Sequence, residues 1–370
     1  MLYLWGIGND FEDFVKWDKP IMDDSVCLID LSEEKIGTVV RGYRINHPEI
    51  IEKCREEDCI YITSKKYKNE IVECIRKYNS KIKIVEKREA LWESKKRTIY
   101  NSMQNDFKYN ICLKRAVIKW IEQALEDECS YWKDTSPQYI AESHEGLRKR
   151  EFEYSFNWDL NITSDDIIID VGSGPIPIFG NMINGKEIDY RPLDPMAYQY
   201  GKLNEYYNVK LPVKPQFAIM ELLTYFVEEK TVDYCIVHNA MDHSIDILRS
   251  FIECFRTVKT SGVMLMAHLA SEGIHNNYDG LHKWNIDEKN GKLFFYNQEN
   301  CVNISEMFAD VADIKVKRTP IEIEGWGYRD WILCKITKKG DISPIILEKY
   351  DDSKYISCMI EILFDKLHEK

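Results

Sequence analysis

Asp165-Asp166-Ile167-Ile168-Ile169-Asp170-Val171-Gly172-Ser173-Gly174-Pro175 is the stretch that decides the fold. A short apolar run with no polar alternation reads as a strand buried on both faces, as in a parallel sheet. It ends on an acid and two glycines. The C-terminal end of such a strand is delivered to the ligand crevice of an open α/β sheet. Gly172 and Gly174 permit a sharp turn and let a ligand approach bare backbone. A dinucleotide site would need a third glycine and free amides to cradle phosphate. Pro175 and Pro177 instead remove two amide donors. Asp170 beside the turn repels phosphate and favours a cation.

Working outward, the same alternation continues. Leu193-Asp194-Pro195-Met196 follows, then Ala218-Ile219-Met220-Glu221-Leu222, then Val232 to His243, then Phe255 to Met266. Ile314 to Ile323 and Arg329 to Ile336 come last. Together these segments resemble the class I S-adenosylmethionine-dependent methyltransferases over about 165–338, with Asp170-Val171-Gly172-Ser173-Gly174 in the place of their acidic-x-Gly-x-Gly motif. The resemblance implies an α/β fold with a seven-stranded, mostly parallel, Rossmann-like sheet, helices on both faces and an antiparallel last strand, with Ile314 to Ile323 and Arg329 to Ile336 as the terminal hairpin. It implies S-adenosyl-L-methionine as cofactor. Asp170, Gly172, Ser173, Gly174 and Pro175 would line it. Asp194 would accept the ribose hydroxyl protons, a task suited to a carboxylate, with Pro195 and Met196 beside it. Glu221 and Leu222 would face the adenine, and Asn239, Ala240 and Met241 would form the loop beyond the fourth strand.

The acceptor should sit beyond strands four and five. His268 stands at the expected end of strand five, and the following loop adds His275 and His282. Imidazole titrates near neutrality, which suits a base for a hydroxyl. His282, His268 and His243 are therefore the candidate bases, in that order. His275 is expected to be exposed. Gly280-Leu281-His282-Lys283-Trp284 resembles the Gly-Leu-His-x-Trp loop of a methyltransferase subgroup found with surface-polysaccharide and other sugar-modifying genes. The resemblance implies a small-molecule or sugar-type acceptor methylated on oxygen, in polysaccharide biosynthesis, with Tyr278 and Trp284 as walls for a sugar ring. Tyr131 and Trp132 belong to a helical stretch expected to form a lid, and Arg148 could pair with an anionic acceptor.

Four regions are expected: a small Rossmann-like α/β domain over 1–90, a helical connector over 91–160, the methyltransferase region over 161–338, and a helical tail over 339–370. In the first, Tyr3 to Ile7, Val26 to Ile29, Asp58 to Thr63 and Lys81 to Val85 read as buried strands, and Tyr67 to Tyr78 as a helix. Gly6, Gly8 and Asp30 imitate a dinucleotide turn but lack the third glycine. The domain resembles those ahead of several bacterial sugar-modifying enzymes. An NAD-dependent sugar-nucleotide oxidoreductase or epimerase is thus the rival reading, and a non-catalytic cofactor-binding scaffold the third. In the connector, Val117, Ile118, Ile121 and Leu125 share one helix face. In the tail, Ile356, Ile360, Leu363 and Leu367 form a stripe that would pack on the body or on a second copy as a homodimer.

With 370 residues, the chain can bury a core without staples. Its 62 acidic against 50 basic residues, a net charge of −12, argue against a nucleic-acid partner or an anionic membrane surface. The apolar run Val263 to Ala270 is too short to span a bilayer, so no membrane insertion is expected. The opening residues lack a signal-peptide pattern. Its 11 cysteines contain no C-x-x-C, so reduced thiols in a cytoplasmic protein and no metal site are expected; Cys54 and Cys59 alone form an unsupported pair.

Overall fold

Val26-Cys27-Leu28-Ile29 is buried at every position, which suits a strand covered on both faces. The computed structural model describes residues 1–91, 93–95, 113–121, 125–135, 150–154, 158–323, 327–348 and 357. The chain divides into two units. One is Met1–Gln104 with Pro320–Asp330; the other is Asn105–Thr319 with Trp331–Lys370.

The first unit holds β1 (Leu2–Trp5), β2 (Val26–Ile29), β3 (Val39–Val40), β4 (Tyr43–Asn46), β5 (Cys59–Ile62) and β6 (Lys83–Val85), in the order β3-β4-β2-β1-β5-β6. All neighbours are parallel except β3 against β4. One face buries Leu2, Leu4, Phe11 and Phe14, the other Tyr3, Trp5, Ile60 and the helix residues Ile71 and Ile75. β4 escapes a periodicity reading because only Ile45 of its four residues is buried. Residues Pro320–Asp330, expected with the 161–338 region, belong to this unit. Tyr328 donates its amide to Asp18 Oδ1 at 3.1 Å, and Lys87 pairs with Asp18 Oδ2 at 2.7 Å.

The second unit adds β7 (Ile167–Val171), β8 (Met182–Ile183), β9 (Lys186–Glu187), β10 (Asp189–Asp194), β11 (Gln216–Phe217), β12 (Val232–His238), β13 (Val258–Leu269), β14 (Asn285–Lys289), β15 (Lys292–Tyr296), β16 (Cys301–Asn303) and all but the facing ends of β17 (Ala312–Ile323) and β18 (Gly327–Lys338), those ends falling within Pro320–Asp330. The main sheet has seven strands in the order β11-β10-β7-β12-β13-β18-β17. From β11 through β10, β7 and β12 to β13 every pairing is parallel, while β18 runs antiparallel to β13. Strand order reverses between β7 and β12, so the crevice opens at their C-terminal ends.

Helix Ile247–Thr257 packs in the largest core cluster through Ile247, Phe251 and Phe255. Asp246 caps its start by accepting from Arg249 N at 3.0 Å. Its last carbonyls need donors. The buried Lys338 ammonium supplies them, donating to Phe255 O at 3.0 Å and Val258 O at 2.8 Å.

β14, β15 and β16 form a separate antiparallel sheet that the reading of the sequence did not include. Its first turn, Asn290-Gly291, has φ of 54° and 75°, the left-handed pair of a tight hairpin. The connector is helical over Leu113–Lys119 and Leu125–Thr135 but not over 150–154 or 158–160, against the expectation of helix throughout. There Phe152 donates its amide to Met182 O at 2.8 Å, and its ring stacks on Phe179 in an aromatic core under β10. No described helix is long and apolar enough to cross a membrane. The tail stripe lies outside the described residues.

Candidate active site

The loop after β7 is tied to the end of β10. Gly172 N and Ser173 N donate to Leu193 O at 2.8 and 3.1 Å, and Gly174 N donates to Asp194 Oδ2 at 3.0 Å. Asp194 Oδ1 accepts from Met196 N at 2.8 Å. Asn204 Nδ2 holds Pro175 O at 2.8 Å. Gly172 and Gly174 have φ of 77° and 66°. A side chain on Gly172 would overlap Ala240, so the loops after β7 and β12 touch across the crevice.

Two carboxylates line this wall. Burial pushes Asp170 up to about 7 although Tyr190 donates its hydroxyl at 2.6 Å. Burial likewise pushes Asp194 up to about 7 against the pull of the Met196 and Gly174 amides, with the Glu128 and Asp170 charges adding to the rise. Each is a carboxylate that a hydroxyl donor or a cation would ionise.

The helical connector meets the same wall. Trp132 lies 3.6 Å from where a Gly174 side chain would begin. Its indole nitrogen donates to Glu128 Oε1 at 2.7 Å, and Tyr200 donates to the same oxygen at 3.3 Å. Trp120 donates to His243 O at 2.9 Å. The Glu128 charge acts on Asp194, His243 and His282 alike. Glu128 was not among the sequence candidates. It stands in Leu125-Glu126-Asp127-Glu128, where three acids in a row look like a solvated helix start.

Two expected adenine contacts take other roles. Glu221 is buried, and its Oε1 accepts from Ile245 N at 2.6 Å and Asp246 N at 3.3 Å. It therefore organises the approach to helix Ile247–Thr257. Burial pushes it up to about 7. Leu222 packs on Val117 and Ile121. Asn239, at φ 49°, accepts from Leu269 N at 3.1 Å and locks the ends of β12 and β13 together. Ala240 faces Gly172, Met241 is core, and Pro195 is half-buried beside Asp194.

Beyond β12 and β13 the histidines converge on one residue. Asp242, 1% exposed, has His282 Nδ1 at 2.7 Å and His243 Nε2 at 3.7 Å from Oδ2, and His268 Nδ1 at 3.7 Å from Oδ1. The His243 and His282 rings meet edge to face, 4.7 Å apart. Burial would raise Asp242, but the surrounding imidazoles hold it well below the usual carboxylate range. Burial lowers His243 despite Asp242. It also works against the His282 cation, yet the hydrogen bond and charge of Asp242 prevail and raise it. Thus the structure brings together all three candidate bases.

The loop carrying His282 holds Ser271, Asn277 and Tyr278 at φ of 57°, 52° and 56°. Such strain in a non-glycine run costs energy and concentrates at functional sites. Asn285 donates to the Tyr278 hydroxyl at 3.0 Å. Trp284 is 2% exposed and donates to Ser244 O at 3.0 Å, which corrects its placement as an acceptor wall: it anchors the loop in the core. His275 is buried, not exposed. Arg148 lies outside the described residues.

In the first unit, the glycine turn after β1 is already filled. Asp30 accepts from Ile7 N at 2.8 Å and Ser32 N at 2.9 Å and pairs with Lys35 at 3.1 Å. A side chain on Gly6 would meet Ser64 Cβ at 2.8 Å, and Asp10 accepts from Lys65 N at 2.8 Å. NAD titrated into the chain is expected to give no saturable calorimetric signal at millimolar concentration; micromolar binding blocked by Gly6→Val would restore the oxidoreductase reading.

The second unit has the seven-stranded, mostly parallel sheet with one antiparallel neighbour that the sequence resemblance implies. No protein-family model matches the sequence, and no curated protein does. Among solved structures, the chain is similar to the putative methyltransferase crystallised with the Haloferax volcanii Trm112 methyltransferase activator, at 14% identity and TM-score 0.36 over 59% of this chain and 98% of that one. It is similar to a Thermotoga maritima S-adenosylmethionine-dependent methyltransferase described as a possible histamine N-methyltransferase, at 11% identity and TM-score 0.35 over 60% and 98%. A putative S-adenosylmethionine-dependent methyltransferase from Listeria monocytogenes gives 10%, 0.31, 49% and 94%.

Proposed function

We propose that this chain transfers a methyl group from S-adenosylmethionine to an oxygen of a small-molecule or sugar-type acceptor. The observation that carries the reading is the convergence of His243, His268 and His282 on the buried Asp242, at the crevice edge where Ala240 meets Gly172. The sulfonium is already activated. The protein must align the acceptor in line with the methyl group, exclude water and let a hydroxyl proton leave. The methyl–sulfur bond breaks as the methyl–oxygen bond forms, leaving S-adenosylhomocysteine and a proton. In this reading the bare backbone of Gly172 to Gly174 admits the cofactor, Asp194 grips its ribose, Asp170 favours its positive end, and the histidine cluster receives the acceptor. The Gly280-Leu281-His282-Lys283-Trp284 loop supports a sugar-type acceptor and a setting in polysaccharide biosynthesis.

Calorimetry with S-adenosylhomocysteine tests the cofactor half. Asp194→Ala is expected to weaken binding by about 1.5–3 kcal/mol, the order of a hydrogen bond to a charged group. Unchanged affinity in the folded variant would sink the ribose assignment. A pH series gives a second readout. Ribose hydroxyls donate to ionised Asp194, whose free-state value is about 7. Affinity should therefore rise as pH rises through neutrality, losing up to roughly tenfold per carboxylate at one unit below its pKa. Asp194→Ala should flatten that slope.

A further inference from the structure

The Asp242 cluster holds more than a base would need. Asp242 and Glu272 are both buried, at 1% and 2% exposure, and both face one nitrogen: His282 Nδ1 lies 2.7 Å from Asp242 Oδ2 and 3.5 Å from Glu272 Oε2. Two carboxylates buried together are costly unless a cation stands between them. His243 Nε2 lies 3.7 Å from the same Asp242 oxygen, and the ligating atoms of Asp242, His243 and His282 all fall within 4.8 Å of one another. A metal with ligands about 2.0–2.2 Å away separates neighbouring donors by about 3 Å, so small ring rotations would suffice. Asp242 Oδ1 and His243 Nε2 are also buried without any hydrogen-bond partner. Buried polar atoms left this way call for an explanation such as an ion.

We propose that Asp242, His243 and His282, with Glu272 adjoining, bind a divalent transition-metal ion at the acceptor end of the crevice. Two imidazoles and carboxylate oxygens suit Mn²⁺, Fe²⁺, Co²⁺, Ni²⁺ or Zn²⁺, whereas Ca²⁺ and Mg²⁺ prefer all-oxygen shells. The position gives the ion a task that rests on the methyl-transfer reading: an acceptor hydroxyl bound to it becomes far more acidic. Binding itself does not depend on that reading.

The test uses the full chain, stripped with a chelator and titrated separately with Mn²⁺ and Zn²⁺. Elemental analysis after gel filtration should find a single equivalent of at least one metal. His282→Gln and His243→Gln should each weaken its binding at least about tenfold, while circular dichroism confirms the fold. His243→Gln, on a different loop from His282, keeps the test alive should His282→Gln misfold. S-adenosylhomocysteine binding is measured on the same samples. Stripped protein that takes up neither metal, or metal uptake unchanged in both variants, overturns the site. Cofactor binding with no metal uptake would remove the site and leave the methyltransferase reading standing. Metal uptake without cofactor binding would support the site and remove that reading.

Discussion

His282→Ala is expected to lower methyl-transfer turnover about 10²- to 10⁴-fold while S-adenosylhomocysteine affinity stays near that of the unaltered chain. The expectation follows from where the ring sits. His282 Nδ1 is 2.7 Å from Asp242, the residue on which His243 and His268 also converge. None of these four side chains bonds to Asp170 or the amides of the glycine loop, so cofactor grip and acceptor activation separate in the sequence and in space. Asp242→Asn removes the charge that gathers the rings and is expected to lose turnover to a similar extent. The two losses should overlap in the double variant, because residues acting as one unit are strongly non-additive. Single-turnover rates with saturating cofactor are the measurement. Full turnover in His282→Ala would move the chemistry elsewhere, with His243 next in line.

How much of this was legible depends on the range of the interaction. Asp170 to Pro175 could be read because a parallel strand is apolar throughout and its exit needs glycine; both facts are local. The hairpin of β17 and β18 was legible through the family resemblance, which implies an antiparallel last strand there. The β14–β15 hairpin had a local signal in Asn290-Gly291 and the apolar run Leu293-Phe294-Phe295-Tyr296 after it, but the strand before it, Asn285-Ile286-Asp287-Glu288-Lys289, is mostly polar. Other features had no local signature. The amide of Tyr328 meets Asp18 across 310 residues, so the membership of Pro320–Asp330 in the first unit could not be read from composition. Glu221 shows why an acid in the right place is weak evidence: its job is set by two amides, Ile245 and Asp246, that are remote in sequence. Trp284 stands in the Gly280-to-Trp284 loop, where it could wall a sugar ring or anchor the loop; a tryptophan with its nitrogen satisfied in a core is the anchor. His268 and His282 were legible because three histidines in one loop region, with His275, is unusual, and His243 because it follows the fourth strand. Asp242, the residue that unites them, was passed over as the neighbour of His243.

Gly172→Val is expected to cost the second unit about 2–5 kcal/mol and to abolish measurable cofactor binding. Two effects add. A residue with φ of 77° lies in the left-handed region, which costs a residue bearing a Cβ roughly 1–2 kcal/mol. The new side chain would also overlap Ala240, and forcing extra atoms into a packed contact costs typically 1–3 kcal/mol. Relief requires the loops after β7 and β12 to part, and those loops form the mouth of the crevice. Gly174 provides the control. Its φ of 66° imposes the same left-handed cost, but a Cβ there meets only Trp132 at an ordinary 3.6 Å. Gly174→Ala should therefore lose only the backbone part, about 1–2 kcal/mol by urea denaturation. The difference between the two variants measures the contact between the loops. If Gly172→Val proves no less stable than Gly174→Ala and still binds S-adenosylhomocysteine, the loops do not close on each other in solution, and the crevice is wider than the Gly172–Ala240 approach allows.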